Sequence, residues 1–538
     1  MVIHATLSDF TCIESHPYGV LPGGNIYLDA STSSSSNNAQ RRYLSDELWQ
    51  QVLSFCDGAS LAHFVQTCRR CYVAGHQPEL WRDLVLRDLQ GTSKILHHCG
   101  PTWKDTFVHR QQPPTETTST RSYVPMAVRG VFSDFYYRTH LCQSFQIPDS
   151  WLQPNSSATG IDRLQNISIY DFFHNYEVPN VPLVLIGAAS TWKATQKWTS
   201  LDYLATISNG RDFRATSGAA PLPAQFTIQS YAQYSASTLL EESPLYLFDR
   251  TALLETPLHL DFFPDLQRTC PYFDPANQEY GHDLFSLLGE GQRPDHTWLI
   301  LGPKRSGSSF HMDPNATHAW NAAIVGRKRW IMYPPGVTPP GVHPSPNGDH
   351  VAMPISIGEW ILNYWTEHVQ RYKDVPSRRP MECTVEPGDV MFVPHGWWHM
   401  VINLDDVNIA VTHNYVSQSN LATVLRFLQK KVDQISGCRD RKESIKPEML
   451  YSEFCKVLRE RHPVWLQKAQ EKANTAWPCL AWTDDAQDDQ PKQKQKSFIN
   501  GKRRRKDEES SNSIMAKAKK HEAFESPTAS SGFSFSFL

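Results

Sequence analysis

The sequence predicts an α+β protein in which a small helical domain precedes an antiparallel β-barrel or sandwich with flanking helices. Apolar residues recur at helical spacing from Leu44 to Leu89, and breaks at Gly58 and Pro78 divide this segment into three short predicted helices. Later in the chain, short apolar runs appear, and most of them end in Gly or Pro. Many short strands ended in this way are typical of a sheet that packs on another sheet or closes on itself.

Six apolar runs are the candidate strands of the barrel. They lie at residues 181–187, 245–248, 298–302, 330–335, 390–394 and 409–412. A segment with helical character, Asn420 to Ile435, follows the last run. We expect this helix to pack at the edge of the barrel.

Changes in composition divide the chain into seven predicted segments. A polar low-complexity stretch and a Pro/Thr-rich stretch separate the first segments, and apolar residues become rare after Pro478. The predicted segments are a disordered leader over 1–40, a helical domain over 41–89, a linker over 90–120, a region supporting the barrel over 121–264, the barrel domain over 265–433, C-terminal helices over 434–478 and a disordered basic tail over 479–538.

Composition also restricts the classes of function. The 538-residue chain has a formal net charge of −3, which gives no overall attraction to nucleic acid or to a membrane. No apolar run approaches the ~20 residues of a membrane span, and the first residues lack a secretory signal. The 11 cysteines are sparse, which indicates free thiols in a reducing compartment. We therefore expect an intracellular protein with no membrane partner and no direct nucleic-acid binding outside the basic tail.

The basic tail contains two clusters of positive charge, Lys502–Lys506 and Lys517–Lys520. Such clusters are typical of nuclear-import signals, although a solvated run of charges without function has the same composition. We expect the protein to be located in the nucleus, and an additional cytoplasmic location is an open alternative.

A candidate metal site begins with His311 and Asp313. Residues two apart on a strand project from the same face, so both side chains can point into a barrel. Two imidazoles and one carboxylate form the facial triad of iron(II) oxygenases, which leaves positions open for a chelating oxoacid and for dioxygen. His399, which follows a predicted strand and turn, is the expected third ligand. His395 is the rival, but it lies in the turn itself and is expected to face solvent.

Lys328 lies in a strongly apolar, strand-like context. A buried ammonium group is costly unless it meets an anion, so Lys328 is a candidate partner for a dicarboxylate cosubstrate. The alternative is a surface lysine at the end of a strand, beside Arg327 and Arg329.

The runs at 302–334 and 394–414 resemble the JmjC domain of the arginine demethylase and lysyl hydroxylase subfamily, and the similarity extends back to about Val178. The resemblance implies a double-stranded β-helix, the cupin or jelly-roll barrel. It also implies Fe(II), 2-oxoglutarate and dioxygen as cofactor and cosubstrates. The residues it implies are His311, Asp313 and His399 as iron ligands, Lys328 and Thr412 for the distal carboxylate of 2-oxoglutarate, Asn321 in the cosubstrate pocket, Asn414 in an assisting role, and Ser308 near substrate and cosubstrate.

The helical segment over 41–89 resembles an F-box. The resemblance rests on three motifs, Leu44–Leu48, Val65–Arg70 and Glu79–Trp81, and departs from the F-box pattern at Ser45, where a proline is usual. It implies docking on the Skp-type adaptor of a Cullin-RING ubiquitin ligase. The alternative is a small helical domain with no role in a ligase.

These observations predict an oxygenase that hydroxylates protein side chains, as in lysyl hydroxylation, or demethylates N-methylated arginine or lysine, with a nuclear protein as substrate. Two alternatives stay open. In the first alternative, the chain is an F-box substrate adaptor that uses the barrel as a binding module. In the second, it is a cupin isomerase or storage-type protein. The complete ligand set and Lys328 favour the oxygenase.

Overall fold

The computed structural model describes most of the chain up to residue 474. The described residues are 5–11, 15–23, 44–90, 95–111, 125–153, 160–218, 222–237, 241–274, 283–346, 348, 350–438 and 442–474. The Pro/Thr-rich part of the predicted linker and the whole predicted basic tail lie outside these residues.

The strands within the described residues are β1 (Asp162–Leu164), β2 (Leu183–Leu185), β3 (Phe213–Thr216), β4 (Ala224–Phe226), β5 (Tyr246–Asp249), β6 (Thr297–Gly302), β7 (Gly307–His311), β8 (His318–Val325), β9 (Lys328–Tyr333), β10 (His343–Pro344), β11 (Val351–Ala352), β12 (Met381–Val385), β13 (Val390–Val393), β14 (Trp398–Asn403) and β15 (Asn408–Tyr415).

The α-helices within the same residues are α1 (Leu7–Phe10), α2 (Asp46–Leu53), α3 (Gly58–Phe64), α4 (Arg69–Gly75), α5 (Pro78–Leu89), α6 (Trp103–Gln111), α7 (Asp134–Ser144), α8 (Ile169–Phe172), α9 (Lys193–Lys197), α10 (Leu201–Ser208), α11 (Ile228–Ser235), α12 (Ala252–Glu255), α13 (Phe263–Thr269), α14 (Ile357–Gln370), α15 (Leu421–Lys430), α16 (Pro447–Arg461) and α17 (Pro463–Ala473).

Two sheets form the centre of the molecule. The larger sheet has nine strands in the order β1-β2-β13-β8-β15-β6-β5-β3-β4, and all neighbours are antiparallel except β1 and β2. The smaller sheet has four antiparallel strands in the order β12-β9-β14-β7. Apolar side chains from both sheets, such as Ala323 of β8 and Met332 of β9, share one buried cluster. The sheets therefore pack face to face, which confirms the predicted α+β sandwich.

The six predicted strands are confirmed, and their alternation explains the layers. In β9, Lys328, Trp330 and Met332 pair with Asn403, Val401 and His399 of β14, so these six side chains share the inner face. The outer face of the larger sheet is covered by helices, and the outer face of the smaller sheet is covered mainly by α14. The predicted helix after the last strand is also present as α15.

The helical region 44–89 contains four helices, where the sequence predicted three. Gly58 and Pro78 begin α3 and α5 as expected. An additional break separates α3 from α4 because Cys68 is extended, with φ −160° and ψ 170°, and caps α4 with its side chain. The buried residues of these helices belong to the same hydrophobic cluster as the outer face of the larger sheet.

Two predictions of irregular structure were wrong over part of their length. We expected a disordered leader over 1–40, but Phe10 at the end of α1 is fully buried between Trp151 and Trp365. We expected a linker over 90–120, but this segment contains α6, whose Trp103 is buried. In both cases a large aromatic side chain fills a gap in a core formed by distant segments, and local composition does not record such a gap.

Helices α15, α16 and α17 enclose a separate hydrophobic cluster at the end of the described chain. One face of α15 packs into this cluster through Leu421, Val424, Leu425 and Leu428. Among the described helices, we find none with the length and apolar character needed to cross a membrane.

Candidate metal centre

The structure brings His311, Asp313 and His399 together inside the sandwich. His311 ends β7 and lies opposite His399 in the neighbouring strand β14, and Asp313 follows β7 in extended conformation. One ligand atom from each of the three residues can be chosen so that all lie within 4.8 Å of one another. The centroids of the two imidazole rings are 4.2 Å apart. One ion could therefore contact all three side chains.

Backbone carbonyl groups select the ring nitrogen that each histidine presents to the centre. Nδ1 of His311 lies 2.8 Å from the carbonyl oxygen of Ser309, and Nδ1 of His399 lies 3.0 Å from that of Trp397. Because a carbonyl can only accept a hydrogen bond, each Nδ1 is protonated and donates. The Nε2 lone pairs of both rings are therefore available to a metal, the arrangement usual for metal-binding histidines.

Burial determines the charge of the three groups. Burial lowers the pKa of His311 and of His399 to about 4, so both rings are neutral at pH 7. Burial also raises the pKa of Asp313, while His311 and a hydrogen bond from Asn414 act in the opposite direction. Oδ2 of Asp313 is buried and has no hydrogen-bond partner among the described residues. A buried carboxylate oxygen of this kind needs a cation, so the three residues fit a divalent iron ion.

His395, the rival ligand, lies outside this cluster. Its backbone N–H donates to Nδ1 of His318 at 3.0 Å, which anchors the turn before β14. The expectation that His395 faces solvent was wrong, because its own Nδ1 is buried. The side chain instead lines a cavity beside Asp313.

Lys328 begins β9 and is 1% exposed, which contradicts the alternative of a surface lysine. Its ammonium group donates to Oδ1 of Asn403 at 2.7 Å and to the hydroxyl of Tyr246 at 3.3 Å. Among the described residues, no carboxylate forms an ion pair with Lys328. Burial lowers the pKa of Lys328 to about 7. This cation therefore lacks the anion that would stabilise it, and a bound carboxylate could supply that anion.

The other predicted residues lie in neighbouring strands of the larger sheet or beside them. Thr412 of β15 is paired with Asn321 of β8, so the two side chains share the inner face. Oδ1 of Asn321 is buried without a partner among the described residues, whereas the hydroxyl of Thr412 donates to the carbonyl of Trp320 at 3.0 Å. Asn414 donates to the hydroxyl of Thr317 at 2.9 Å.

Ser308 of β7 lines the larger of two cavities, which has a volume of about 440 Å³ and includes none of the three candidate ligands among its described lining residues. Tyr246 and Trp298 line the same cavity, whereas Lys328 is not among its described lining residues. The smaller cavity, about 230 Å³, is lined by Asp313 and His395.

Sequence reasoning missed Asn403 and Tyr246. Asn403 could have been found, because it lies four residues after His399 in one strand and therefore on the same face. Tyr246 lies in a strand that was predicted, but its proximity to Lys328 depends on the order of strands in the sheet. That order is set by tertiary packing.

The sandwich and its His–Asp–His cluster, in which His399 is buried and His311 and Asp313 are half-buried, define a β-sandwich protein with a candidate iron centre. The family model of the cupin-like domain matches residues 170–421. The chain is 37% identical over 467 residues to the arginine-specific demethylase JMJ22 of Arabidopsis thaliana, across 86% of this chain and 85% of that protein. The chain therefore belongs to the JmjC, or cupin-like, family.

More distant relatives carry related names. The bifunctional arginine demethylase and lysyl-hydroxylase psr-1 of Caenorhabditis elegans is 32% identical over 267 residues, which cover 48% of this chain and 61% of that protein. The 2-oxoglutarate and iron-dependent oxygenase JMJD4 of Gallus gallus is 28% identical over 292 residues, which cover 51% of this chain and 63% of that protein. All three of these relatives are named as demethylases, hydroxylases or oxygenases.

Proposed function

We propose that this chain is an Fe(II)- and 2-oxoglutarate-dependent oxygenase that hydroxylates a protein side chain or demethylates N-methylated arginine or lysine. The metal ligands in this proposal are His311, Asp313 and His399. The observation that carries it is the pairing of two incomplete sites in one barrel. Two neutral imidazoles and a carboxylate present ligand atoms to one point, and the buried Lys328 has no carboxylate partner among the described residues.

The side chains of the barrel perform three tasks in this reaction. The carbonyls of Ser309 and Trp397 hold both imidazoles with Nε2 towards the metal. Lys328 binds the distal carboxylate of 2-oxoglutarate by a charge-assisted hydrogen bond, supported by Asn403. The apolar inner face, including Trp330, excludes water from the reacting atoms.

Iron with 2-oxoglutarate and dioxygen supplies oxidative chemistry, in which the keto acid becomes succinate and carbon dioxide while one oxygen atom enters a C–H bond. On a side-chain carbon the product keeps its hydroxyl group. On an N-methyl group the hydroxymethyl product releases formaldehyde. In this proposal Thr412 and Asn321 line the cosubstrate side of the site, Ser308 lies near cosubstrate and substrate, and Asn414 orients Asp313.

The test is the release of succinate by the full-length protein with Fe(II), 2-oxoglutarate and dioxygen. Asp313→Ala should abolish succinate release because the ion loses its only anionic ligand. Glu448→Ala, which removes an exposed carboxylate of α16, is the matched control and should keep the parental rate. Parental succinate release by Asp313→Ala would refute the proposal. If Asp313→Ala abolishes succinate release, mass spectrometry of nuclear proteins treated with the parent protein distinguishes hydroxylation, a gain of oxygen, from demethylation, a loss of methyl.

A second function is supported by the surface of the helical region. Leu44, Leu48, Val52 and Phe55 are 45%, 48%, 47% and 81% exposed. Leu48 and Val52 are four residues apart and form an exposed apolar stripe on α2, and Leu44 and Phe55 lie just before and just after this helix. A stripe of this kind on a surface helix is typical of a docking site. The proposed partner is the Skp-type adaptor of a Cullin-RING ubiquitin ligase, which the F-box resemblance implies.

Binding of the purified Skp-type adaptor tests this second function separately from catalysis. Leu48→Glu with Val52→Glu should abolish binding, because it places charge in the apolar stripe. Val464→Glu, at another exposed apolar position, should leave binding unchanged. Equal binding by the stripe variant would exclude α2 as the docking site.

The two basic runs of the tail support a proposal of nuclear location. Deletion of residues 502–520 would test this proposal.

A further inference from the structure

The smaller cavity lies on the Asp313 side of the candidate metal centre. It is formed where the turn after β7 and the turn before β14 meet α15, and its volume is about 230 Å³. Pockets for drug-sized ligands measure roughly 300–1,000 Å³. This cavity therefore suits a single side chain, and its wall contains a proposed metal ligand.

A polar group without a partner lies in the wall of this cavity. Nδ1 of His395 is buried and has no hydrogen-bond partner among the described residues, while Nε2 lies 3.5 Å from the hydroxyl of Thr423. Burial, together with the nearby ammonium group of Lys472, lowers the pKa of His395 to about 4, so the ring is neutral at pH 7. Because Nδ1 is shielded, a molecule in the cavity can bond to the ring only through Nε2, whose contact with the hydroxyl of Thr423 is long for a hydrogen bond.

The rim of the cavity is positively charged. Arg426, Lys430 and Lys431 line it, and Asp313 is the one carboxylate among its described lining residues. Arg426 and Lys430 share a face of α15 with Thr423, because these residues are spaced by three and four positions. The opposite face of α15 is buried in a hydrophobic cluster, which holds the cations towards the cavity.

The larger cavity has a different charge pattern. Its lining includes four arginines and four carboxylates, and Arg211 pairs there with Asp249 and with Glu255. The charges of that cavity are therefore largely balanced. Its lining also includes Tyr246, which accepts a hydrogen bond from Lys328, so the proposed 2-oxoglutarate lies on the Tyr246 side of the centre.

We propose that the smaller cavity receives the side chain to be oxidised, that His395 bonds to it, and that Arg426, Lys430 and Lys431 bind acidic residues that flank it in the substrate protein. This inference rests on the proposed oxygenase function and adds a substrate class, an acidic peptide segment. His395 acts in it as a positioning residue, because it holds the substrate without contacting the metal.

The test is the binding of short fluorescent peptides to full-length protein that holds Mn(II) and 2-oxoglutarate. The probes share a central lysine or methylarginine and differ in flanking residues, which are glutamates, serines or lysines. The glutamate probe should bind about tenfold more tightly than the serine probe at low salt, and the lysine probe should bind least. Added salt should reduce the preference, because these contacts lie at an exposed rim.

Charge reversal identifies the surface responsible. Arg426→Glu with Lys430→Glu should remove the preference for the glutamate probe, and Arg426→Gln with Lys430→Gln should weaken it. Lys456→Glu, on the exposed surface of α16, is the matched control and should retain the preference. Equal binding of all probes by the parent protein, or retained preference in both double variants, would overturn the inference.

Two variants of His395 test the cavity itself. His395→Leu should weaken binding of the glutamate probe about fivefold, and His395→Gln, which keeps a polar atom near the position of Nε2, should restore most of the affinity. Both should bind Mn(II) as the parent does; loss of Mn(II) from both would instead make His395 a metal ligand. Succinate release without any charge preference would refute this inference alone. Charge-selective binding without succinate release would refute the oxygenase proposal alone.

Discussion

Replacing Lys328 by methionine should stabilise the protein and abolish its binding of 2-oxoglutarate. Burial lowers the pKa of this lysine from 10.5 to about 7, so folding at pH 7.5 requires the ammonium group to lose its proton. At about 1.4 kcal/mol per pKa unit, this costs about 4 kcal/mol at pH 7.5. Methionine has a similar length and removes this cost.

The variant also loses two hydrogen bonds. Oδ1 of Asn403 and the hydroxyl of Tyr246 lose their bonds to the ammonium group, which costs about 1–3 kcal/mol. The net gain in the free energy of unfolding is therefore about 1–3 kcal/mol without cosubstrate. The midpoint of thermal unfolding should rise by about 2–6 °C.

The dependence on pH identifies the cause. Between pH 7 and 10.5 the unfolded parent protein binds one more proton at Lys328 than the folded protein, so the stability of the parent rises with pH. The advantage of Lys328→Met should shrink by about 1.4 kcal/mol per pH unit in this range. Urea unfolding at several pH values, with a chelator present, measures it. A variant that is less stable than the parent by the same amount at every pH would refute the reasoning.

Three further predictions concern Lys328, Asn403 and His98. The Kd for 2-oxoglutarate, measured by calorimetry, should rise up to about tenfold per pH unit above pH 7, because Lys328 must take up a proton to pair with the carboxylate. A Kd that stays constant with pH would show that another group binds the carboxylate. Asn403→Leu should raise the same Kd about tenfold without changing metal affinity, because the ammonium group loses an acceptor that orients it. Burial lowers the pKa of His98 from 6.5 to about 4, so its contribution to stability is complete above pH 6.5 and is lost as pH falls to 4. His98→Gln should reduce the acid sensitivity of unfolding in this window by on the order of 3 kcal/mol, and an unchanged acid profile would contradict that pKa.

The features that could be predicted from the sequence are those that a local pattern of residues records. Each predicted apolar run became a strand because its residues are buried on both faces, and such burial leaves a continuous apolar signature. The sequence favoured His399 over His395 because a strand and a turn differ in local pattern, and in the structure His399 is the imidazole that lies beside His311 and Asp313. Lys328 was recognisable because a lysine within an apolar strand needs an anion.

The features that could not be predicted depend on distant segments. Phe10 is ordered by Trp151 and Trp365, which lie far away in the chain. The smaller cavity exists because α15 packs against the turn that contains His395, and no local pattern records that contact. Tyr246 reaches Lys328 only through the order of strands in the sheet. These positions follow from tertiary packing, which overrides local preference.

The number of ferrous ions bound per chain tests the central claim most directly. It should be measured under anaerobic conditions for the parent protein and for alanine variants at His311, Asp313, His399 and His395. We predict one ion per chain for the parent and for His395→Ala, and none at the same free iron concentration for the other three variants. Retention of the ion by His399→Ala, with its loss from His395→Ala, would contradict the account.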